Sequence, residues 1–126
     1  MSRVGSRLGV PLTHVVNEYG MTELSSQYYD PVLRSRTGLR HPRPKLGPPW
    51  LRPLVVDPET LRPLPDGEVG LILHFDLANL DSVLAIQTDD LGRVTPAGLQ
   101  LLGRAVGSEA RGCSLAAEEF MRLVEA

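Results

Sequence analysis

The stretch Tyr19-Gly20-Met21-Thr22-Glu23 brings a ring, a hydroxyl and a carboxylate out of one short segment. Val15 and Val16 read as the end of a strand, and Gly20 lets the chain turn tightly, so the three groups emerge together. That trio suits a nucleotide. A second stretch, Thr88-Asp89-Asp90-Leu91-Gly92, delivers two adjacent carboxylates from a strand to a turn closed by Gly92. The pair repels itself, so burying it requires a metal, hydroxyl groups or backbone donors, and a ribose diol is a good partner for one of the two. A third stretch flanks Arg104 and Arg111 with Gly103 and Gly112, followed by Cys113. Glycine there permits close approach to phosphate or carboxylate as well as hinge motion, and a neighbouring guanidinium favours the thiolate. Taken alone, each stretch also fits an ordinary role: a Gly turn with Tyr19 packed, an Asx-type turn with both acids in water, a charged surface loop, a core cysteine.

The elements that must position these groups are mostly strands. Thr13 to Tyr19 reads as a strand, followed by a polar, Pro-rich passage from Leu24 to Pro49 that is long for a loop. Leu54 to Val56 and Val69 to Phe75 predict two apolar strands of a small antiparallel unit, separated by the turn chemistry of Asp57-Pro58 and Pro65-Asp66-Gly67. Ser82 to Gln87 and Leu99 to Leu102 predict two more. Only the tail looks helical: Ser114 is a plausible N-cap, and Ala116, Phe120, Leu123 and Val124 share one face.

Composition narrows the function classes. The chain has 126 residues, 42% hydrophobic and 22% charged, enough for one core, and its formal charge of −2 gives no general pull toward nucleic acid or anionic membrane. Arg34, Arg36, Arg40, Arg43 and Lys45 form a local basic run, read either as a solvated loop or as a greeting for phosphate or an acidic partner. No stretch is long and apolar enough to span a bilayer or serve as a secretory signal, so a cytoplasmic protein is expected. A single cysteine excludes an intrachain disulfide and a multi-Cys zinc site, and His14, His41 and His74 lack ligand-like spacing.

In order and approximate spacing, the three stretches resemble the later motifs of the adenylate-forming acyl-activating enzymes. The wider text, "NEYGMTELSSQYYD", "PPWLRPLVVDPETLRPL", "GEVGLILHFDLANLDSVLAIQTDDLG" and "LLGRAVGSEARGCSLAAEEF", is similar to the acyl-protein synthetases, the luciferin-component ligases, of that superfamily. The resemblance runs from about Leu12 to the end. It implies an α/β fold: the C-terminal part of an adenylate-forming ligase domain, built of short strands and loops with a C-terminal helix. It also implies a division into residues 1–102, completing the large domain, and residues 103–126, a hinge and tail. The implied activity is a two-step ligation using ATP and magnesium, in which a fatty acid becomes an acyl-adenylate and then a thioester.

Carried over by position, Tyr19 would stack on adenine, Gly20 would belong to the same cofactor-binding set, and Thr22 would contact the nucleotide phosphate, a planar phenol being able to cover a purine. Glu23 would help hold magnesium, Asp90 would bind the ribose hydroxyls, and Arg104 would sit at the hinge. Cys113, assisted by Arg111, would accept the acyl group before its delivery to a partner such as an acyl reductase. The chain departs from the pattern upstream: "MSRVGSRLGVPL" is no Ser/Thr/Gly-rich phosphate loop, and the chain ends before the C-terminal lysine many relatives use in adenylation. The expectation is therefore part of a longer or split ligase, needing an N-terminal part or partner chain and inactive alone. The alternatives are a non-catalytic remnant or interaction module, or an acyl acceptor only. The first strand should then carry unpaired edges and exposed apolar surface.

Overall fold

Alternation of apolar and polar residues, broken by Pro and Gly, builds an antiparallel sheet in the second half of the chain. The computed structural model describes residues 2–34 and 43–105. Arg36, Arg40, Arg111, Cys113 and the Ser114-capped helix lie outside the described residues. A short helix, α1 (Ser2–Leu8), opens the chain, followed by the two-residue strands β1 (Glu18–Tyr19) and β2 (Tyr28–Tyr29). The four longer strands are β3 (Leu51–Val56), β4 (Gly70–Asp76), β5 (Ala85–Thr95) and β6 (Gly98–Arg104), hydrogen-bonded in that order and all antiparallel. Strands and loops thus dominate, with few helices. Among the described residues no helix is long and apolar enough to cross a membrane.

The sheet follows local chemistry. Pro53 sits in β3, an edge strand, where its missing N–H costs least. In β4 the parity of "GLILHFD" places Gly70, Ile72, His74 and Asp76 on one fully buried face. That face meets the β1–β2 ribbon, and the core between them is Leu24, Tyr28, Leu51, Ile72 and Leu99, with Tyr19, Met21, Ile86 and Leu101 packed alongside.

Several sequence expectations are corrected: the tail is not the sole helical candidate, since Ser2–Leu8 forms α1, and the strand expected at Ser82–Gln87 begins at Ala85 and runs on to Thr95. The strand from Thr13 to Tyr19 shrinks to Glu18–Tyr19, because Leu12–His14 forms a 3-10 turn. The backbone around Val15 is tied down by side chains: Arg43 donates to the Leu12 and Val15 carbonyls at 2.8 and 2.9 Å. The turn expected at Gly92 does not exist, since β5 runs straight through it to Thr95. Gly92 is needed for space: a Cβ there would meet the Gln100 carbonyl oxygen at 2.7 Å and Ile72 Cδ1 at 2.8 Å. The turn falls instead at Pro96-Ala97, with Gly98 at φ 126° closing the hairpin. Among the described residues leading into the first strand, Leu8 and Val16 are exposed apolar side chains, at 70% and 37%.

The basic run divides. Arg43 is 8% exposed and pairs with buried Asp30 at 3.0 Å, while Lys45, 6% exposed, donates to the Asn17 carbonyl at 2.7 Å and to its side chain. Burial lowers the Lys45 pKa, with Asp30 opposing and Arg43 adding to the fall. These two cations are internal clasps on the Leu12–Asn17 segment, so neither greets a phosphate in solution.

Candidate functional site

The Thr88-Asp89-Asp90 stretch is not a turn. Leu71 pairs with Leu91 and Leu73 with Gln87, so the three residues 88–90 of β5 oppose Ile72 alone. This is a bulge of the larger, special kind, three residues against one, and bulges re-aim side chains within a ladder. The Thr88 hydroxyl stabilises it by donating to the Ile72 carbonyl at 2.9 Å and accepting from the Asp90 N–H at 3.2 Å. Within it Asp89 is exposed and Asp90 half-buried, and both border the same open cavity.

Asp90 meets two partners. The Tyr19 hydroxyl donates to its Oδ2 at 2.7 Å, and Arg104 Nε lies 3.2 Å from its Oδ1. Arg104 reaches it because β6 pairs Arg104 directly with Asp90, beyond a second bulge at Leu91/Gly92 and past Gly103 at φ 139°, a conformation that favours glycine. The pairing continues through the Ala105 N–H to the Asp89 carbonyl at 2.8 Å, so residues 103–105 extend β6. The Tyr19 ring packs against Tyr28 and His74, with centroids 5.9 and 5.7 Å away. Its hydroxyl is engaged and not wet. Burial, then the Asp90 hydrogen bond, push the Tyr19 pKa far above the ordinary phenol value.

The segment after β1 carries the other expected groups. Thr22 Oγ1 donates to Glu23 Oε2 at 3.2 Å, and both side chains are exposed. Their backbone is anchored from the β4–β5 connection: Asn79 donates to the Glu23 carbonyl at 2.6 Å and its amide oxygen accepts from Ser25. Buried Asp76 accepts from Ser26 N–H at 2.8 Å, Ser26 hydroxyl at 2.9 Å and Ala78 N–H at 3.0 Å. Gly20 has no left-handed backbone; it lies against Gln27, whose Cγ would be 3.2 Å from an added Cβ.

Tyr19, Gly20, Thr22, Glu23, Asp90 and Arg104 line a single open cavity of about 840 Å³, together with Ile86 and Thr88. All the described site residues expected from sequence are therefore brought together, from β1 and the segment after it and from the β5–β6 hairpin, where Asp90 lies 71 residues beyond Tyr19. Sequence reasoning missed four supports: Tyr28, His74, Asp76 and Asn79. A signal existed for two of them, since His74 and Asp76 share parity with Ile72 on a strand too apolar to be solvated. Among the described residues no cluster of three or more His, Cys, Asp or Glu could hold a metal by itself.

No protein-family model matches the chain. Over 47 residues it is 45% identical to the long-chain-fatty-acid–luciferin-component ligase of Aliivibrio fischeri and 40% identical to that of Vibrio harveyi. Those residues are 37% of this chain and 12% of each relative, so the match spans only a small part of their length. Among solved structures it resembles apo MatB from Rhodopseudomonas palustris, with TM-score 0.52 and 27% identity over 73% of this chain and 21% of that one. The ATP-bound form of the same protein gives TM-score 0.51 and 28% identity, covering 71% of this chain and 20% of that one. In sequence over that short stretch, and in fold over most of its length, the chain is similar to adenylate-forming, acyl-CoA-synthetase-like ligases, and its strands and loops match the C-terminal portion of that fold.

Proposed function

We propose that the chain is the C-terminal segment of an ATP-dependent fatty acyl-protein synthetase, that its cavity holds the adenosine end of the nucleotide, and that Cys113 accepts the acyl group. The observation that carries the nucleotide assignment is the convergence of Tyr19, Thr22, Glu23, Asp90 and Arg104 on one cavity. The residues fit such a ligand. Asp90 presents a carboxylate, 19% exposed, beside a guanidinium, which suits a diol near an anionic group. Tyr19 offers a ring backed by two other rings, and the Thr22–Glu23 pair stands exposed on the rim.

Glu23 fits as a lone protein ligand for magnesium, a cation that commonly keeps several waters and shares one or two carboxylates with substrate phosphates. Magnesium there would neutralise phosphate charge during adenylation. In the first step a fatty carboxylate oxygen attacks the α-phosphorus of ATP and pyrophosphate leaves. In the second the Cys113 thiolate, favoured by Arg111, attacks the acyl carbonyl carbon and AMP leaves, giving a thioester for transfer to a reductase partner. The remainder of the ligase, upstream or in a second chain, supplies the phosphate-binding loop.

Calorimetric titration of the full chain with AMP and with 2′,3′-dideoxy-AMP tests the nucleotide assignment. AMP should bind roughly tenfold or more tightly than the dideoxy analogue, the value of a charged hydrogen bond, and Asp90→Asn should erase the difference. Equal affinities for the two ligands, or no binding at millimolar AMP, would refute it.

A further inference from the structure

Behind Asp90 lies a layer of polar groups to which nucleotide binding assigns no task. Tyr28 Oη is 2.9 Å from His74 Nδ1, His74 Nε2 is 3.3 Å from Tyr19 Oη, and Tyr19 Oη is 2.7 Å from Asp90 Oδ2. Tyr28 is 1% and His74 0% exposed, so water cannot substitute for the contact between them. Proton counting fixes their direction. Tyr19 has one hydroxyl proton and gives it to Asp90, so its oxygen must accept from His74, which places the imidazole hydrogen on Nε2. A neutral imidazole then has only an acceptor at Nδ1, and the Tyr28 hydroxyl fills it.

We propose that Tyr28, His74 and Tyr19 form a one-way hydrogen-bond relay that aims the Asp90 carboxylate into the cavity, making His74 and Tyr28 positioning residues for the diol that Asp90 takes. The part of this that concerns the diol rests on the nucleotide assignment above; the relay itself does not. Asp90 stands in a bulge, where the ladder no longer fixes the direction of its side chain. The relay engages Oδ2 from behind and Arg104 engages Oδ1 from β6, so the carboxylate plane is set by two side chains from different strands. An imidazole suits the middle position because it accepts at one edge of a rigid ring and donates at the other.

The surroundings keep that ring neutral. Burial lowers the His74 pKa to about 4, against the opposing pull of Asp90 and Asp76. Arg104 stands on the far side of Asp90, and the groups facing His74 from β1 and β2 are two phenols held protonated by burial. The relay therefore keeps one polarity throughout the physiological range.

NMR of the full chain with ¹⁵N-labelled histidine decides whether the relay exists, the His74 signals being assigned by their loss in His74→Gln. The expected result is the Nε2–H tautomer, unchanged from pH 8 to pH 5.5, with its nitrogen shifts moved by both Tyr28→Phe and Asp90→Asn. An Nδ1–H tautomer, a titration midpoint near 6.5, or no response to Asp90→Asn would overturn it. The positioning role is read from ligand discrimination. Tyr28→Phe, which touches no ligand and keeps the ring, should reduce the preference for AMP over 2′,3′-dideoxy-AMP by roughly three- to tenfold, the value of one neutral hydrogen bond, without changing dideoxy-AMP affinity. Equal loss for both ligands, or unchanged discrimination, would show a merely structural contact and overturn the positioning role. Relay signatures without any AMP binding would refute the nucleotide assignment and leave the relay standing.

Discussion

Replacing Arg43 by methionine separates a solvated basic run from a buried clasp. The guanidinium is held by Asp30 at 3.0 Å and by the Val15 and Leu12 carbonyls at 2.9 and 2.8 Å. Methionine fills similar space but leaves the Asp30 carboxylate, 2% exposed, with the Asn17 and Val32 N–H groups at 3.2 and 3.4 Å and the more distant charge of Lys45 among the described residues. Breaking a buried pair by removing one partner costs about 3–5 kcal/mol, a large share of the roughly 5–15 kcal/mol that holds a domain folded. Urea unfolding followed by the fluorescence of Trp50, the sole tryptophan, reads this directly. With a slope of about 1–3 kcal/mol per molar, the midpoint should fall by about 2 M. Adding Asp30→Asn should restore part of the loss, because the uncompensated charge goes with it. A shift of less than about 0.3 M would refute the clasp and return Arg43 to solvent. The same clasp anchors Leu12–Asn17, the approach to Tyr19, so AMP binding should weaken alongside stability.

Four further outcomes are expected. His74 has its pKa lowered to about 4 from an ordinary 6.5, so its neutral form contributes stability that is complete above pH 6.5 and is lost as pH falls through 4. The loss reaches roughly 3 kcal/mol, and a stability–pH profile of His74→Gln should lack that part of the slope; identical slopes would contradict it. Gly92→Ala should destabilise by about 1–3 kcal/mol, since its Cβ would stand 2.7 Å from the Gln100 carbonyl oxygen, and a neutral outcome in thermal melts would show that β5 and β6 can part. In a ligase completed by its upstream part, Glu23→Gln should slow adenylation while Asp90→Asn mainly raises the KM for ATP; equal, small effects on pyrophosphate exchange would argue against both roles. Cys113→Ser should abolish a hydroxylamine-sensitive acyl adduct seen by mass spectrometry and leave pyrophosphate exchange intact, whereas an adduct that survives would remove the thiol from the pathway.

The sequence alone determined which residues could serve a nucleotide and where the main strands lie. Tyr19, Thr22, Glu23 and Asp90 stand out because ring, hydroxyl and carboxylate beside glycine are unusual in so short a space. The apolar runs Leu54–Val56, Val69–Phe75 and Leu99–Leu102 mark strands because alternation and turn residues are local signals. What the sequence could not show was any property that depends on two strands meeting. Gly92 looked like a turn residue, yet it is a glycine because Gln100 and Ile72 crowd it from neighbouring strands. The adjacent acids Asp89 and Asp90 looked like one turn, yet they stand in a bulge opposite Ile72 where Asp89 is exposed and Asp90 is held by Tyr19 and Arg104. Arg43 and Lys45 looked solvated, yet the carbonyls and the carboxylate that justify burying them come from residues 12–30. His74 carried no motif at all. Its partners Tyr28, Tyr19 and, through Tyr19, Asp90 lie on three other strands, so only tertiary packing gives the imidazole a donor on one edge and an acceptor on the other.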